Sequence, residues 1–195
     1  MTKETPEVLT SEEVFRGRIF QVAVDTVRED GLTYTREVVR HGGGASVLAV
    51  FDDMTVALVR QYRHPPARYL LELPAGKLEA GESPEVCAAR ELEEELGVVA
   101  GRMEPLSEFF PTPGFCAEKL WVFLATELRA TAQRLEEDEL VEVVRMPFAR
   151  ALAMIASREI EDAKTIIGLL LAAPRFGITT STITTSSGDA DETTV

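Results

Sequence analysis

A cluster of three glutamates, Glu91, Glu94 and Glu95, has a spacing that suggests metal chemistry. Residues three and four positions apart meet on one face of a helix, where each pair of like charges costs about 0.2–0.5 kcal/mol. The cluster also lies near a predicted helix C-terminus, where the helix dipole disfavours negative charge. Two interpretations follow: a solvated acidic face, which is the usual meaning of a charge run, or a site for a hard divalent cation that binds several carboxylate oxygens.

Capping signals predict that this cluster lies on a helix of about thirteen residues. Ser83 and Pro84 are typical of an N-cap and a first helical position, and Gly97 is typical of the residue that ends a helix. On a helical wheel the glutamates adjoin an apolar face that would pack on a core, made of Ala88, Ala89, Leu92 and Leu96.

The residues around this helix complete a longer pattern. From Gly76 the chain reads GKLEAGESPEVCAARELEEELGV, which places Glu82, Arg90 and Gly97 at set distances from the glutamate cluster. This signature segment, residues 76–98, resembles the signature of the Nudix hydrolases at every specified position. The resemblance favours the cation site over the solvated acidic face.

The resemblance implies a fold and a reaction. The fold would be of the α/β class, the α+β Nudix fold, in which a mixed β-sheet is sandwiched between helices and a small antiparallel β unit lies at the N-terminus. The reaction would be hydrolysis of a nucleoside diphosphate linked to another group, with two or three Mg²⁺ (or Mn²⁺) ions at each site.

The resemblance also assigns roles within and beside the signature segment. Glu91 and Glu95 would be metal ligands, the backbone carbonyl of Ala75 another, and Glu94 a further ligand and catalytic residue. The structural role of holding the loop and the glutamates in place would belong to Gly76, Glu82, Arg90 and Gly97.

A proline sixteen residues past Gly97, Pro113, is typical of the ADP-ribose pyrophosphatase branch of the family. Three more segments look like that branch: residues 59–63 (VRQYR), 73–76 (LPAG) and 162–165 (DAKT). The markers of the coenzyme A, NADH and dinucleoside polyphosphate branches are missing. The branch implies cleavage of ADP-ribose to AMP and ribose 5-phosphate, with other nucleoside-diphosphate sugars as alternative substrates.

A second acidic cluster, residues 136–139, precedes a predicted strand at residues 141–146. As a bare charge run it would be a solvated loop. In the branch, a glutamate on this loop supplies either the base for the attacking water or an added metal ligand. The register of the following strand favours Glu137 as the base and Glu139 as the ligand, and a slip of two residues would exchange the two roles.

The branch further implies substrate contacts outside the signature segment. An aromatic residue of the N-terminal unit would stack on adenine, for which Phe20 is the candidate, with a hairpin core residue as the alternative. Arginine makes forked contacts with phosphate oxygens, so Arg40 and Arg63 are candidates there, with surface charges as the alternative. The candidates near the terminal ribose are Thr112, Glu118 and, more weakly, Glu79.

Turn and strand signals predict three parts of the chain. Residues 1–43 would contain a β-hairpin, because two β-rich runs flank Asp30-Gly31. In the branch such hairpins are exchanged between the subunits of a homodimer. Residues 44–176 would form the catalytic domain, and residues 177–195, rich in Thr, Ser and Gly, would be a disordered tail.

Composition narrows the function classes. Twenty basic against 33 acidic residues give a net charge of −13, which excludes a general phosphate-backbone binder and predicts no nucleic-acid partner. A chain this acidic can bind a pyrophosphate at an acidic helix only through cations. Two cysteines without a metal-binding spacing fit a reducing cytoplasm, and no apolar run is long enough to span a membrane.

A ligand-sensing module is the rival from another class, since some proteins of this fold bind nucleotide sugars without hydrolysis. All four signature glutamates are present here and no basic helix-turn-helix follows. The sequence therefore favours an enzyme whose small-molecule partner is a nucleotide sugar.

Overall fold

The structure, a computed structural model, describes residues 4–135 and 140–178. The chain forms two units. The first is the N-terminal segment up to Gly44 together with Phe109–Leu120, and the second is Ala45–Glu108 with the chain from Trp121 onward. The predicted boundary lies between residues 43 and 44, and residues 109–120 were expected in the second domain. The predicted tail, apart from residues 177 and 178, lies outside the described residues.

The first unit contains a three-stranded antiparallel sheet in the order β1-β2-β3: β1 Glu7–Arg16, β2 Phe20–Glu29 and β3 Leu32–His41. The predicted hairpin is β2-β3, and its turn needs positive φ at Asp30 (50°) and Gly31 (81°). Strand β1 was not predicted, because its residues are almost all exposed and show no buried alternation. An isolated parallel bridge also joins Val39 of β3 to Cys116, three residues beyond Pro113.

The second unit is built on a seven-stranded sheet. Its main path is β10-β5-β4-β9-β8, with β6 paired to β5 and β7 paired to β4. The strands are β4 Gly44–Val50, β5 Thr55–Arg63, β6 Arg68–Glu72, β7 Ala75–Lys77, β8 Val98–Phe109, β9 Leu120–Ala130 and β10 Val141–Pro147. Strand β5 is antiparallel to β4, β6 and β10.

Three α-helices complete this unit: α1 Pro84–Leu96, α2 Phe148–Ala156 and α3 Ala163–Ala172, the last followed by a 3-10 turn, Ala173–Phe176. Every residue of β4 is buried, so both faces of the sheet are covered there. Ala45, Val47 and Ala49 pack with α1 in one apolar cluster. A Cβ on Gly168 of α3 would lie 2.8 Å from Leu73, which shows how closely α3 approaches the segment before β7.

The predicted α+β architecture, with a mixed sheet, covering helices and a small N-terminal antiparallel unit, is confirmed. Within residues 4–135 and 140–178, no helix is long and apolar enough to cross a membrane.

Candidate functional site

Helix α1 begins and ends where its capping residues predict. The Ser83 hydroxyl accepts a hydrogen bond from the Val86 amide at 3.3 Å, which satisfies one of the free amides of the first turn. At the other end, Gly97 takes the left-handed conformation (φ 62°), and its amide donates to the Glu93 carbonyl at 3.0 Å. The signature segment therefore has a helix with two fixed ends.

The buried face of α1 carries two of the glutamates. Its buried residues are Cys87, Ala88, Glu91, Leu92 and Glu95. Glu91 is 5% exposed and Glu95 is 2% exposed, while Ala89, which the helical wheel placed on the core face, is exposed. That part of the wheel interpretation was wrong, because it sorted residues by polarity. Buried carboxylates are costly without compensation, so their presence marks a place where a cation is useful.

Gly76 permits a close approach between Glu91 and strand β7. A Cβ placed on Gly76 would lie 1.6 Å from Oε1 of Glu91 and 2.2 Å from its Cδ. Any other residue at position 76 would therefore displace the Glu91 carboxylate from the backbone beside Ala75. The glycine of the signature segment is explained by this contact and not by an unusual backbone angle.

Arg90 links the loop before α1 to the glutamates on it. Its Nε donates to Glu82 Oε1 at 3.0 Å, and its Nη1 donates to Glu91 Oε1 at 2.6 Å and to Glu94 Oε2 at 3.0 Å. Glu82 in turn accepts from the Glu79 amide at 2.9 Å. The hydrogen bond from Arg90 holds the pKa of Glu82 below its usual value, and the same bond raises the pKa of Arg90.

The donor set suits a hard divalent cation. Two buried carboxylates, Glu91 and Glu95, lie on one face of α1, and Glu91 abuts the backbone of β7, which includes the Ala75 carbonyl. Carboxylate and carbonyl oxygens are the ligands that Mg²⁺ and Mn²⁺ prefer. In the part of the chain that the structure describes, no three acidic, cysteine or histidine side chains already form a metal-holding group, and the Arg90 guanidinium is the cation that contacts Glu91 and Glu94.

A second group of charges, here called the charge cluster, consists of Arg63, Glu72, Asp162 and Lys164. Arg63 binds Glu72 through both its Nε (2.7 Å to Oε1) and its Nη2 (2.9 Å to Oε2), and Lys164 also donates to Glu72 Oε2. Burial raises the pKa of Glu72, but the hydrogen bonds and charges of Arg63 and Lys164 outweigh it, so the pKa lies below its usual value.

Arg63 is within electrostatic reach of the face of α1 that carries the buried glutamates. Its pKa is raised first by the hydrogen bond to Glu72, against the effect of burial, and then by the charges of Glu72 and Glu95. Because Glu95 is one of the predicted ligands, this influence connects the charge cluster with the glutamates of the signature segment.

The segment before the acidic loop holds the last turn of α1. Gln133 Nε2 donates to the Glu95 carbonyl at 2.5 Å, and the Arg134 amide donates to the Glu94 carbonyl at 3.1 Å. These bonds satisfy carbonyls that a helix end leaves without partners. The two glutamates predicted to act from this loop, Glu137 and Glu139, lie outside the described residues.

The first unit has a pocket of about 380 Å³ that brings two predicted substrate contacts together. It is lined by Arg16, Arg18, Phe20, Arg40 and His41, among others. The Phe20 ring is 40% exposed and lies 5.8 Å from the ring of Phe15. Arg40 Nη2 also donates to both carboxylate oxygens of Asp25 at 2.9 Å, so Asp25 fixes the orientation of this guanidinium. An aromatic face among several cations suits a base and its phosphates.

The remaining predicted contacts lie in different places. Thr112 and Glu118 both belong to the first unit, where the Thr112 carbonyl accepts from Cys116 at 3.0 Å and Glu118 lies 3.5 Å from Nδ1 of His41. Glu79 belongs to the loop of the second unit that leads to α1.

Three residues around the site were not predicted from the sequence: Glu72, Gln133 and Lys164. Lys164 was quoted within a family-like segment but given no role. For Glu72 and Lys164 the missing signal was their burial, which the sequence does not show in a chain where 27% of residues are charged. Gln133 is exposed and uncharged, and its contact with the Glu95 carbonyl spans 38 residues, so no local pattern points to it.

Comparison with known proteins identifies the family. Residues 40–167 match the model of the NUDIX domain. An ADP-ribose pyrophosphatase of Bacillus subtilis is 42% identical over 162 residues, covering 82% of this chain and 88% of the relative. A GDP-mannose pyrophosphatase of Escherichia coli is 36% identical over 161 residues, covering 76% and 84%.

A solved structure agrees with the sequence relatives. The crystal structure of an ADP compounds hydrolase superposes with a TM-score of 0.79 at 25% identity and covers 91% of this chain and 97% of the other. These comparisons define a hydrolase of a class that generally depends on divalent metal ions. The chain belongs to the NUDIX family, as its signature segment predicted.

Proposed function

We propose that this protein hydrolyses the pyrophosphate bond of ADP-ribose and releases AMP and ribose 5-phosphate. The observation that carries the proposal is the contact between Gly76 and Glu91, which holds a buried carboxylate against the β7 backbone in a complete Nudix signature. The name of the Bacillus subtilis relative supports the choice of ADP-ribose, and that of the solved structure supports an ADP compound as substrate.

Two or three Mg²⁺ or Mn²⁺ ions would be held by Glu91, Glu94, Glu95 and the Ala75 carbonyl, with Glu139 as a further ligand. Bound there, such ions neutralise diphosphate oxygens and lower the pKa of a water molecule. Arg90 and Glu82 keep the ligands in place through the bonds described above. Glu94 stands among these ligands as a catalytic residue.

The chain's other residues would bind the substrate and move the proton. Phe20 and Arg40 take the adenine and a phosphate in the pocket of the first unit, and Arg63 takes the diphosphate in the second. Thr112, Glu118 and Glu79 are assigned to the terminal ribose. Water attacks one phosphorus while the Glu137 carboxylate accepts its proton, and the bridging oxygen leaves with the other phosphate.

The assembly in this proposal is a homodimer in the cytoplasm. Several apolar side chains of the first unit are more than half exposed: Val8, Val14, Phe15, Ile19 and Leu32. Several exposed apolar residues on one small unit support an interface with a second copy. Two free cysteines support a reducing compartment.

The test is product release from a panel of ADP-ribose, ADP-glucose, GDP-mannose, diadenosine polyphosphate and NADH, with Mg²⁺ and again with a chelator. We expect AMP from ADP-ribose at the highest kcat/KM and none with the chelator. A higher kcat/KM for GDP-mannose would support the second candidate, a hydrolase of other nucleoside-diphosphate sugars, which the Escherichia coli relative favours. Binding of a nucleotide sugar without turnover of any compound would contradict both and favour the sensor.

A further inference from the structure

We propose that Lys164 is a positioning residue for Arg63. Lys164 and Arg63 share the Glu72 carboxylate, so Glu72 orients the Arg63 guanidinium without fully offsetting the positive charge that it presents to the substrate diphosphate. The inference rests on the proposed function, in which Arg63 contacts the phosphates. It assigns a role in substrate binding to a buried lysine on the first turn of α3, outside the signature segment.

The geometry of the charge cluster supports this assignment. The Glu72 carboxylate accepts two hydrogen bonds from one edge of the Arg63 guanidinium, at 2.7 and 2.9 Å, so the plane of the guanidinium is fixed. Its Oε2 accepts a third hydrogen bond from Lys164. The carboxylate is therefore divided between two cations, and only one of them, Arg63, is substantially exposed, at 39% of its side chain.

The charges of the cluster depend on Lys164 for their balance. Arg63 and Lys164 are offset by Glu72 and Asp162, which lies 3.1 Å from Lys164. Without the lysine, the cluster carries an excess negative charge directly behind Arg63. Because Glu72 is 2% exposed and the Lys164 side chain 10%, water and salt screen that charge weakly. A diphosphate that approaches Arg63 would then meet a weaker attraction.

Stability alone does not account for this arrangement. A buried ion pair is often no more stabilising than an apolar pair of similar volume, because removing both charges from water is costly. The ion pair between Glu72 and Lys164 lies close to the candidate site along the chain, because Glu72 is three residues before Ala75 and four before Gly76. A role in orienting Arg63 explains why charges are present at that position.

Helix α3 holds the lysine in place. Asp162 is the N-cap of α3: its Oδ2 accepts from the Thr165 amide at 3.0 Å and from the Thr165 hydroxyl at 2.6 Å. The Thr165 hydroxyl oxygen in turn accepts from the Leu73 amide at 2.8 Å. The first turn of α3 is thus joined to residues 72 and 73 by both a side-chain and a main-chain contact.

The experiment compares steady-state kinetics of the full-length protein and three variants with ADP-ribose and Mg²⁺. Lys164→Met removes the charge and keeps most of the volume, and Lys164→Arg restores the charge. The matched control is Arg102→Met, which removes a positive charge from an exposed pair with Glu104. If Lys164→Met does not fold, Lys164→Gln, which loses the charge but can still donate a hydrogen bond, replaces it.

We expect Lys164→Met to raise KM about tenfold and to change kcat less than about threefold, with KM largely restored in Lys164→Arg and unchanged in Arg102→Met. An unchanged KM together with a lower melting temperature would overturn the inference and leave a structural ion pair. A wild-type protein that releases no AMP from ADP-ribose contradicts the proposed function instead. Lys164 is then tested on whichever diphosphate of the panel is hydrolysed, and if none is, both proposals fail.

Discussion

Gly76 and Glu91 show how one missing side chain can determine the chemistry of a site. Glu91 is nearly fully buried, and its carboxylate occupies the space that a Cβ on residue 76 would need. A Cβ on residue 76 would displace only the end of the flexible Glu91 side chain, so we expect the clash to be relieved with little loss of stability. We expect a large loss of catalytic rate, because displacing a predicted metal ligand such as Glu91 by about 1 Å can lower the rate about a hundredfold.

Gly76→Ala should therefore lower kcat/KM for ADP-ribose by about a hundredfold or more while the melting temperature changes little. The matched control is Gly114→Ala, where a Cβ meets nothing within 4 Å. Activity assays and thermal unfolding of the two variants provide the check. Full activity in Gly76→Ala would show that the position of the Glu91 carboxylate is not critical.

Glu95→Gln should abolish turnover and leave the fold intact. Glu95 is 2% exposed on the same face of α1 as Glu91, and glutamine keeps its shape while losing the charge that a cation requires. The control is Glu85→Gln, an exposed residue in the first turn of α1, which should stay active. Circular dichroism establishes folding, and unchanged turnover would remove Glu95 from the mechanism.

The two cysteines should differ in reactivity. Burial raises the pKa of the Cys87 thiol to about 12, and the thiol is inaccessible between α1 and the backbone of β7, where it contacts the Lys77 carbonyl at 3.4 Å. Cys116 is half-buried. A thiol reagent at pH 8 should modify one cysteine in the folded protein and both in guanidinium chloride, and rapid modification of both in the folded protein would contradict the burial of Cys87.

At the scale of the element, α1 is held at its C-terminal end by a neighbouring segment as well as by its own cap. Gly97 has positive φ, and its carbonyl accepts from Thr131 at 2.8 Å. Gln133 and Arg134 donate to the carbonyls of Glu95 and Glu94. The turn of α1 that carries two predicted ligands is therefore rigid for reasons outside the helix.

Gly97→Ala should lower the free energy of unfolding by about 1–2 kcal/mol, because a Cβ is unfavourable at positive φ. The new Cβ would also lie 3.0 Å from the Gln133 amide nitrogen. Chemical denaturation measures the change. A stability equal to that of wild type would show that the last turn of α1 relaxes without strain.

At the scale of the whole molecule, the first unit carries several apolar side chains that are more than half exposed, and a small isolated sheet is only marginally stable in water. Val14 of β1 is 55% exposed and Leu32 of β3 is 69% exposed. A second copy of the chain is the partner that the proposed function uses.

Sedimentation at micromolar concentration should therefore give twice the chain mass of 21.4 kDa. Val14→Glu should shift the protein toward the monomer, because it would place a charge in the proposed interface, where it would be buried. Leu171→Glu is the control, since Leu171 is 46% exposed on α3 in the second unit. A monomer in the wild type would rule out the dimer.

The sequence by itself determined the local features of this protein. The ends of α1, the hairpin at Asp30-Gly31 and the strand at residues 141–146 follow from capping, turn and periodicity signals that lie within a few residues of each other. The signature segment identified the family for the same reason, since its roles depend on spacing along one loop and one helix. The net charge of −13 indicated that a pyrophosphate could bind at the acidic helix only through cations.

Only the tertiary structure decided how distant residues meet. Lys164 and Glu72 are 92 residues apart, and no local pattern pairs them. The burial of Glu91 and Glu95, the space that Gly76 leaves, and the grouping of Phe109–Leu120 with the first unit also depend on long-range packing. The type of a side chain shows whether it is polar, but its burial depends on what packs against it. Burial matters at this site because interactions between charges are stronger where water is excluded.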